Sequence, residues 1–139
     1  MNDDALLFTP RGFSSLAKIG RASPEFAVIS AATNVAGNPA QQPSGAGLRE
    51  ERHVAFVCVW IARRSWERIG PLDERYCLDY GVEDRDYCHR VNEAGLKVGI
   101  YDCCFVDHAC LHSSFRGGPT QGRSFERNWA LFCEKWGVA

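Results

Sequence analysis

Apolar positions recur along the chain in two rhythms, and each rhythm predicts an element. Thr9 and Pro10 read as the cap and first residue of a helix over 10–19, with Phe13, Leu16 and Ala17 on one face and Gly20 where a C-terminal glycine belongs. FAVISA (26–31) is a buried-strand candidate. VAFVCVWIA (54–62) is apolar at successive positions, the pattern of a strand covered on both faces. RRSWERIG (63–70) supplies one or two helical turns closed by Gly70 and Pro71. Tyr87, Val91 and Ala94 keep helical spacing up to Gly95, which predicts a helix over 84–94, and KVGIYDCCFVDH follows as a strand, near 97–106, with a polar end. A last helix over 122–135 brings Phe125, Trp129, Phe132 and Trp136 to one face, a pattern of core packing. Helices alternating with strands predict an α/β domain with a mixed sheet flanked by helices.

One stretch breaks both rhythms. Residues 34–53 are rich in Gly, Pro, Gln and Ser and end in the charged run Arg49-Glu50-Glu51-Arg52, so they predict a long flexible loop. The 139 residues otherwise suit one domain with a single core. Sixteen basic residues balance seventeen acidic ones, which gives no electrostatic footprint for nucleic acid. No apolar run approaches the roughly 20 residues that span a bilayer, and the acidic opening MNDD is unlike a signal peptide, so the expected location is cytoplasmic. Seven cysteines, an odd number without sign of secretion, argue for reduced thiols. Cys103, Cys104, His108, Cys110 and His112 lie close in sequence but lack the paired ligand spacing of structural zinc.

Three constellations carry candidate chemistry. Asn2-Asp3-Asp4 offers oxygen ligands that suit a hard divalent cation such as Mg²⁺ or Mn²⁺. Between Asp73 and Asp86 six acids face two arginines, and the last three, Glu83, Asp84 and Asp86, fall at a helix start. Clustered carboxylates there tend to raise one pKa and supply a general base, or Asp84 or Asp86 caps the helix. His108 and Ser113 sit at the end of a predicted strand, where a histidine either binds a ligand or bonds locally.

The order of these segments resembles the family-2 glycosyltransferases of the GT-A fold. NDDALLFTPRGFSSL is similar to that family's Asx-x-Asp element followed by a Thr-Pro-led helix, and FVCVWIARRSWERIGPLDERY to its strand, Arg-bearing helix and Gly-x-Leu/Phe-Asp-Glu turn. YGVEDRDYCHRVNEAGLKVG resembles its Glu-Asp-x-Asp helix and Ala-Gly-x-Lys/Arg strand entry, VDHACLHSS its His-x-x-x-x-Ser element, and NWALFCEKWG its closing Lys-Trp-Gly helix.

The resemblance implies an inverting transfer from a nucleotide-sugar to a glycan or polysaccharide precursor. Asp4, with Asn2 or Asp3 beside it, would help hold a divalent metal and the donor diphosphate, with His108 near the diphosphate or the metal. Asp84 would be the base, Glu83 and Asp86 would orient base and acceptor, and Trp60 or Tyr80 would offer an aromatic face to a sugar. For Trp60 the alternative is a core position, and for Ser113 a structural one. Because the matching segments start at the metal motif, the expectation is a partial GT-A-like sheet that lacks the N-terminal nucleotide-binding half. Its open edge would be covered by a second copy or by a complementing chain. The alternative function is a catalytically silent, glycan- or partner-binding remnant of that fold.

Overall fold

The longest strand organises everything around it. In the computed structural model, which describes residues 1–76, 81–109 and 119–138, β5 (Lys97–Asp107) runs through the middle of a mixed sheet. On one side it pairs in parallel with β2 (Phe26–Thr33), from Phe26 opposite Lys97 to Thr33 opposite Val106. On the other side it pairs antiparallel with two short strands, β3 (Leu48–Glu51) along its first half and β1 (Leu6–Leu7) at its end. Strand β4 (Val59–Ile61) closes the order β1-β5-β2-β4, antiparallel to β2. The mixed α/β architecture agrees with the alternation of periods in the sequence.

Helices cover both faces. Helix α1 (Gly12–Ala22) lies on one, where Leu16 and Ile19 join Ile29, Ala31, Cys104 and Val106. Helix α2 (Arg63–Ile69) and helix α3 (Glu83–Glu93) lie on the other, where Tyr87, Cys88 and Val91 pack on Val28, Ala32, Val98 and Ile100. Helix α4 (Pro119–Trp136) joins a smaller cluster in which Phe132 meets Tyr76 and Val82. Phe132 is buried and Trp129 and Trp136 flank it, but Phe125 is 45 % exposed, so the aromatic face leaves the core at Phe125.

Four expectations need correction. The helix predicted over 10–19 is displaced, because Thr9 does not cap it: the Thr9 hydroxyl accepts from the Phe105 amide at 2.8 Å and fastens the entry of α1 to β5. Gly20 does not end it either. A Cβ there would stand 2.5 Å from the Trp60 ring, so the glycine admits that indole against the helix, and α1 continues to Ala22.

The strand predicted over 54–62 contracts to three residues, because buried Gln41 occupies the place of a neighbouring strand. Its amide accepts from Ala55 N at 2.6 Å and donates to Ala55 O at 3.1 Å and to Ser30 Oγ at 3.0 Å. Replacing Gln41 with Leu keeps the volume but strips buried backbone groups of partners, and is expected to cost about 2 kcal/mol in urea unfolding.

Segment 34–53, expected as loop throughout, contains a short 3-10 turn at Pro39–Gln41 and β3. Asp102 gathers it in, accepting from Ser44 N and Oγ, from Ala46 N and from Arg49. Burial alone would raise the Asp102 carboxyl, but these bonds outweigh it and hold its pKa below the ordinary value.

Cys58, Cys88, Cys103, Cys104 and Cys133 are free thiols. Burial pushes Cys88 up to about 12 and Cys104 up to about 11, so both behave as small apolar core residues. Among the described residues no helix is long and apolar enough to cross a membrane.

Candidate active site

Parallel strands deliver their C-terminal ends to the same edge of a sheet, the place where open α/β sheets bind ligands. Here β2 ends at Thr33 and β5 at Asp107, so Asn34 and His108 emerge side by side. The His108 ring is held between two oxygens, with Nδ1 2.8 Å from the Val35 carbonyl and Nε2 3.0 Å from Asp4 Oδ1. Both side chains are largely buried. A carbonyl only accepts, so Nδ1 carries a proton and the Nε2 edge is turned to the carboxylate. Asp4 reaches this place because β1, immediately after it, is stitched to the end of β5 through Leu6 opposite Asp107.

The start of α3 forms the second half of the site. Its N-terminal boundary is Val82, a buried β-branched residue at φ 81°, with no side chain capping the helix. A left-handed valine is strained backbone, which the surrounding packing must hold in place. Asp84 is not the N-cap residue, but one of its oxygens serves a first-turn amide of the helix. Its Oδ1 accepts from the adjacent Arg85 amide at 2.6 Å and its Oδ2 from the Phe56 amide at 3.3 Å, across the chain from the helix. Burial raises its pKa against the opposing effect of those backbone bonds. Glu83 is also raised, by burial first and then by the charge of Asp84, and its Oε2 is buried without a hydrogen-bond partner.

Residues 54–58 join the two halves. Phe56 N meets Asp84 while Val57 O accepts from Asn2 N at 2.8 Å, so neighbouring residues touch the metal motif and the acid cluster. The structure thus brings together Asp4 with His108, and sets Asn2 and Asp84 on one short segment.

Other candidates are placed elsewhere. The side chains of Asn2 and Asp3 are on exposed residues and make no described side-chain bond. Trp60 lies on the α1 face, against Gly20, while Asp84 belongs to a helix of the opposite face; the aromatic-platform expectation gives way to the core position. Asp86, expected to orient an acceptor, is fully buried. Its oxygens are taken by Arg90 Nε at 3.0 Å, Trp136 Nε1 at 2.9 Å and Lys135 Nζ at 2.7 Å. Tyr80, Ser113, Cys77, Cys110 and His112 lie outside the described residues.

Two participants were not foreseen. Asn34 donates to Asp107 Oδ1 at 2.8 Å and accepts from His108 N at 3.0 Å, and Phe56 supplies the amide that tethers Asp84. An Asn directly after a strand was the available signal for the first; the second is a backbone group, which no side-chain pattern reveals.

Asp4 and His108 are the two converging donors, and among the described residues no group of three His, Cys, Asp or Glu side chains forms a metal cluster. Two protein ligands fit Mg²⁺ or Mn²⁺ nonetheless, because such ions keep waters and complete their shell with phosphate oxygens.

No protein-family model matches the sequence, and comparison with curated proteins finds no match.

Proposed function

We propose that the chain is an inverting, nucleotide-sugar-dependent glycosyltransferase of the GT-A type, or its acceptor-side half, acting on a glycan or polysaccharide precursor. The observation that carries the reading is Asp84. It sits in an acid pair at a helix start, its pKa is raised by burial, and its two oxygens bridge a first-turn amide of its own helix and a backbone amide of the segment that also touches the metal motif.

In this mechanism an acceptor hydroxyl approaches Asp84, which takes its proton as the oxygen forms a bond to the anomeric carbon. The bond from that carbon to the diphosphate breaks on the opposite side, and configuration inverts. Glu83, with one oxygen unpartnered, orients the acceptor by accepting from a second hydroxyl. Asp4 and His108 would hold a divalent cation together with the diphosphate, and that cation would neutralise charge on the leaving group. The partners of this reading are a nucleotide-sugar and a glycan acceptor, and a second copy or a complementing chain along β4. The outer edge of β4 faces no described strand, which supports a protein partner there.

The test is binding. Titration of the chain with uridine and guanosine diphosphates should show a complex that needs Mn²⁺, and Asp4→Ala and His108→Ala should each weaken it at least tenfold. Diphosphate binding that ignores both substitutions and the metal overturns the reading.

A further inference from the structure

We propose that Asn34 is a positioning residue that sets His108 for cation binding, a role that rests on the proposed ligand pair Asp4 and His108. The β2–β5 ladder ends at Thr33 opposite Val106, and one residue later the Asn34 side chain takes over from the backbone. Its Oδ1 accepts from His108 N at 3.0 Å and its Nδ2 donates to Asp107 Oδ1 at 2.8 Å, so one amide group supplies both an acceptor and a donor, as a peptide group in the next rung would. Asp107 Oδ1 also accepts from Ala109 N at 2.8 Å, which bends the chain immediately after β5.

The next residue completes the clamp. Val35 presents its carbonyl 2.8 Å from His108 Nδ1. Residues 34 and 35 therefore grip the histidine twice, Asn34 by its backbone and Val35 by its ring, and the ring can then offer only Nε2 to the Asp4 side. A proton fixed on Nδ1 by a carbonyl is the arrangement that prepares Nε2 to bind a metal, and partners of this outer kind govern affinity nearly as strongly as the ligands themselves. Asn suits the position because Asp would set two carboxylates against each other, and Ala would leave the His108 amide and Asp107 without these partners.

Three variants of the full chain test this: Asn34→Ala, Asn34→Asp, and the exchange Asn34→Asp with Asp107→Asn, which restores a donor facing an acceptor between residues 34 and 107 and gives up only the bond from Ala109 N. The first readout needs no metal. In ¹H–¹⁵N spectra of the ring, the native chain should show a slowly exchanging Nδ1–H signal for His108, which Asn34→Ala and Asn34→Asp lose and the exchange variant regains. The second is Mn²⁺ titration, where the single variants should bind roughly tenfold more weakly and the exchange variant close to native. Circular dichroism checks the fold; if a single variant unfolds, rescue by the exchange variant supports the clamp and failure of rescue overturns it. An unchanged Nδ1–H signal with affinity within twofold of native also overturns it. If the native chain binds no Mn²⁺ while the ring signal follows the pattern above, the positioning of His108 stands and the cation-binding reading falls.

Discussion

If the chain is the proposed glycosyltransferase with Asp84 as its base, Asp84→Asn is expected to abolish sugar transfer, by a factor of about 10²–10⁴ for loss of a general base, while the fold survives. The substitution keeps size and shape and removes the proton acceptor. Its stability effect has two parts of opposite sign. Burial raises the Asp84 pKa in the folded state, so its contribution is full below the unfolded carboxylate value and is lost as pH rises through the folded one; above the folded value the ionised group costs stability that Asn avoids. Against this, a single amide oxygen cannot accept from both Arg85 N and Phe56 N in the present geometry, so one bond weakens. These parts should offset to within about 1 kcal/mol. On the same reading the shift moves the acid limb of the pH–rate profile up from where an unperturbed carboxylate would set it, since the base must be ionised to work. The assay combines the chain with Mn²⁺, a panel of sugar nucleotides and, as a fusion or second chain, a nucleotide-binding half. Transfer at an equal rate by Asp84→Asn removes the base assignment and leaves Glu83 as the next carboxylate in the cluster.

What the sequence made legible follows from the range over which each signal acts. Helices α1 and α3 and strands β2 and β5 announce themselves through periodicity over about ten residues, and Gly70 and Gly95 mark helix ends because both backbones are left-handed there. Strand β4 was overextended for a different reason. An apolar run satisfies a strand and a buried irregular segment equally, and the choice was made by Gln41, fourteen residues before Ala55. Composition likewise made 34–53 read as loop, although Arg49 and Asp102, which gather it in, are 53 residues apart. Asp4 and His108 are 104 residues apart, and their meeting depends on β1 pairing with the last residues of β5. In the acid cluster, residue type was legible and role was not, because Asp84 and Asp86 differ only in the direction that half a helical turn gives each. One meets a loop amide, the other the end of α4.

Asp86→Ala is expected to be the most destabilising of these substitutions, and to lose stability where Asp84→Asn loses chemistry. The Asp86 side chain has no exposed surface and meets two cations, Arg90 and Lys135, with the indole N–H of Trp136 on the same oxygen as the lysine. Removing one partner from such a buried group typically costs about 3–5 kcal/mol, because the remaining charges stay desolvated. Lys135 keeps a second carboxylate, Asp73 at 2.9 Å, so the low end of that range applies. A loss near 3 kcal/mol corresponds to a melting temperature lower by roughly 10 °C for a domain of this size. Asp86→Asn retains an oxygen for Trp136 and should cost about half as much. The consequence then travels to the site. Helix α4 packs Phe132 into the cluster of Tyr76 and Val82, and Val82 is the strained residue from which α3, Glu83 and Asp84 depart. Loosening α4 therefore relaxes Val82 and shifts the two carboxylates from their places. Thermal unfolding and transfer measured together separate the roles: for Asp86→Ala both fall, and cooling restores part of the rate, whereas for Asp84→Asn the rate stays lost at every temperature at which the chain is folded. An Asp86→Ala chain with native melting and no activity would instead move Asp86 from the clasp into the chemistry.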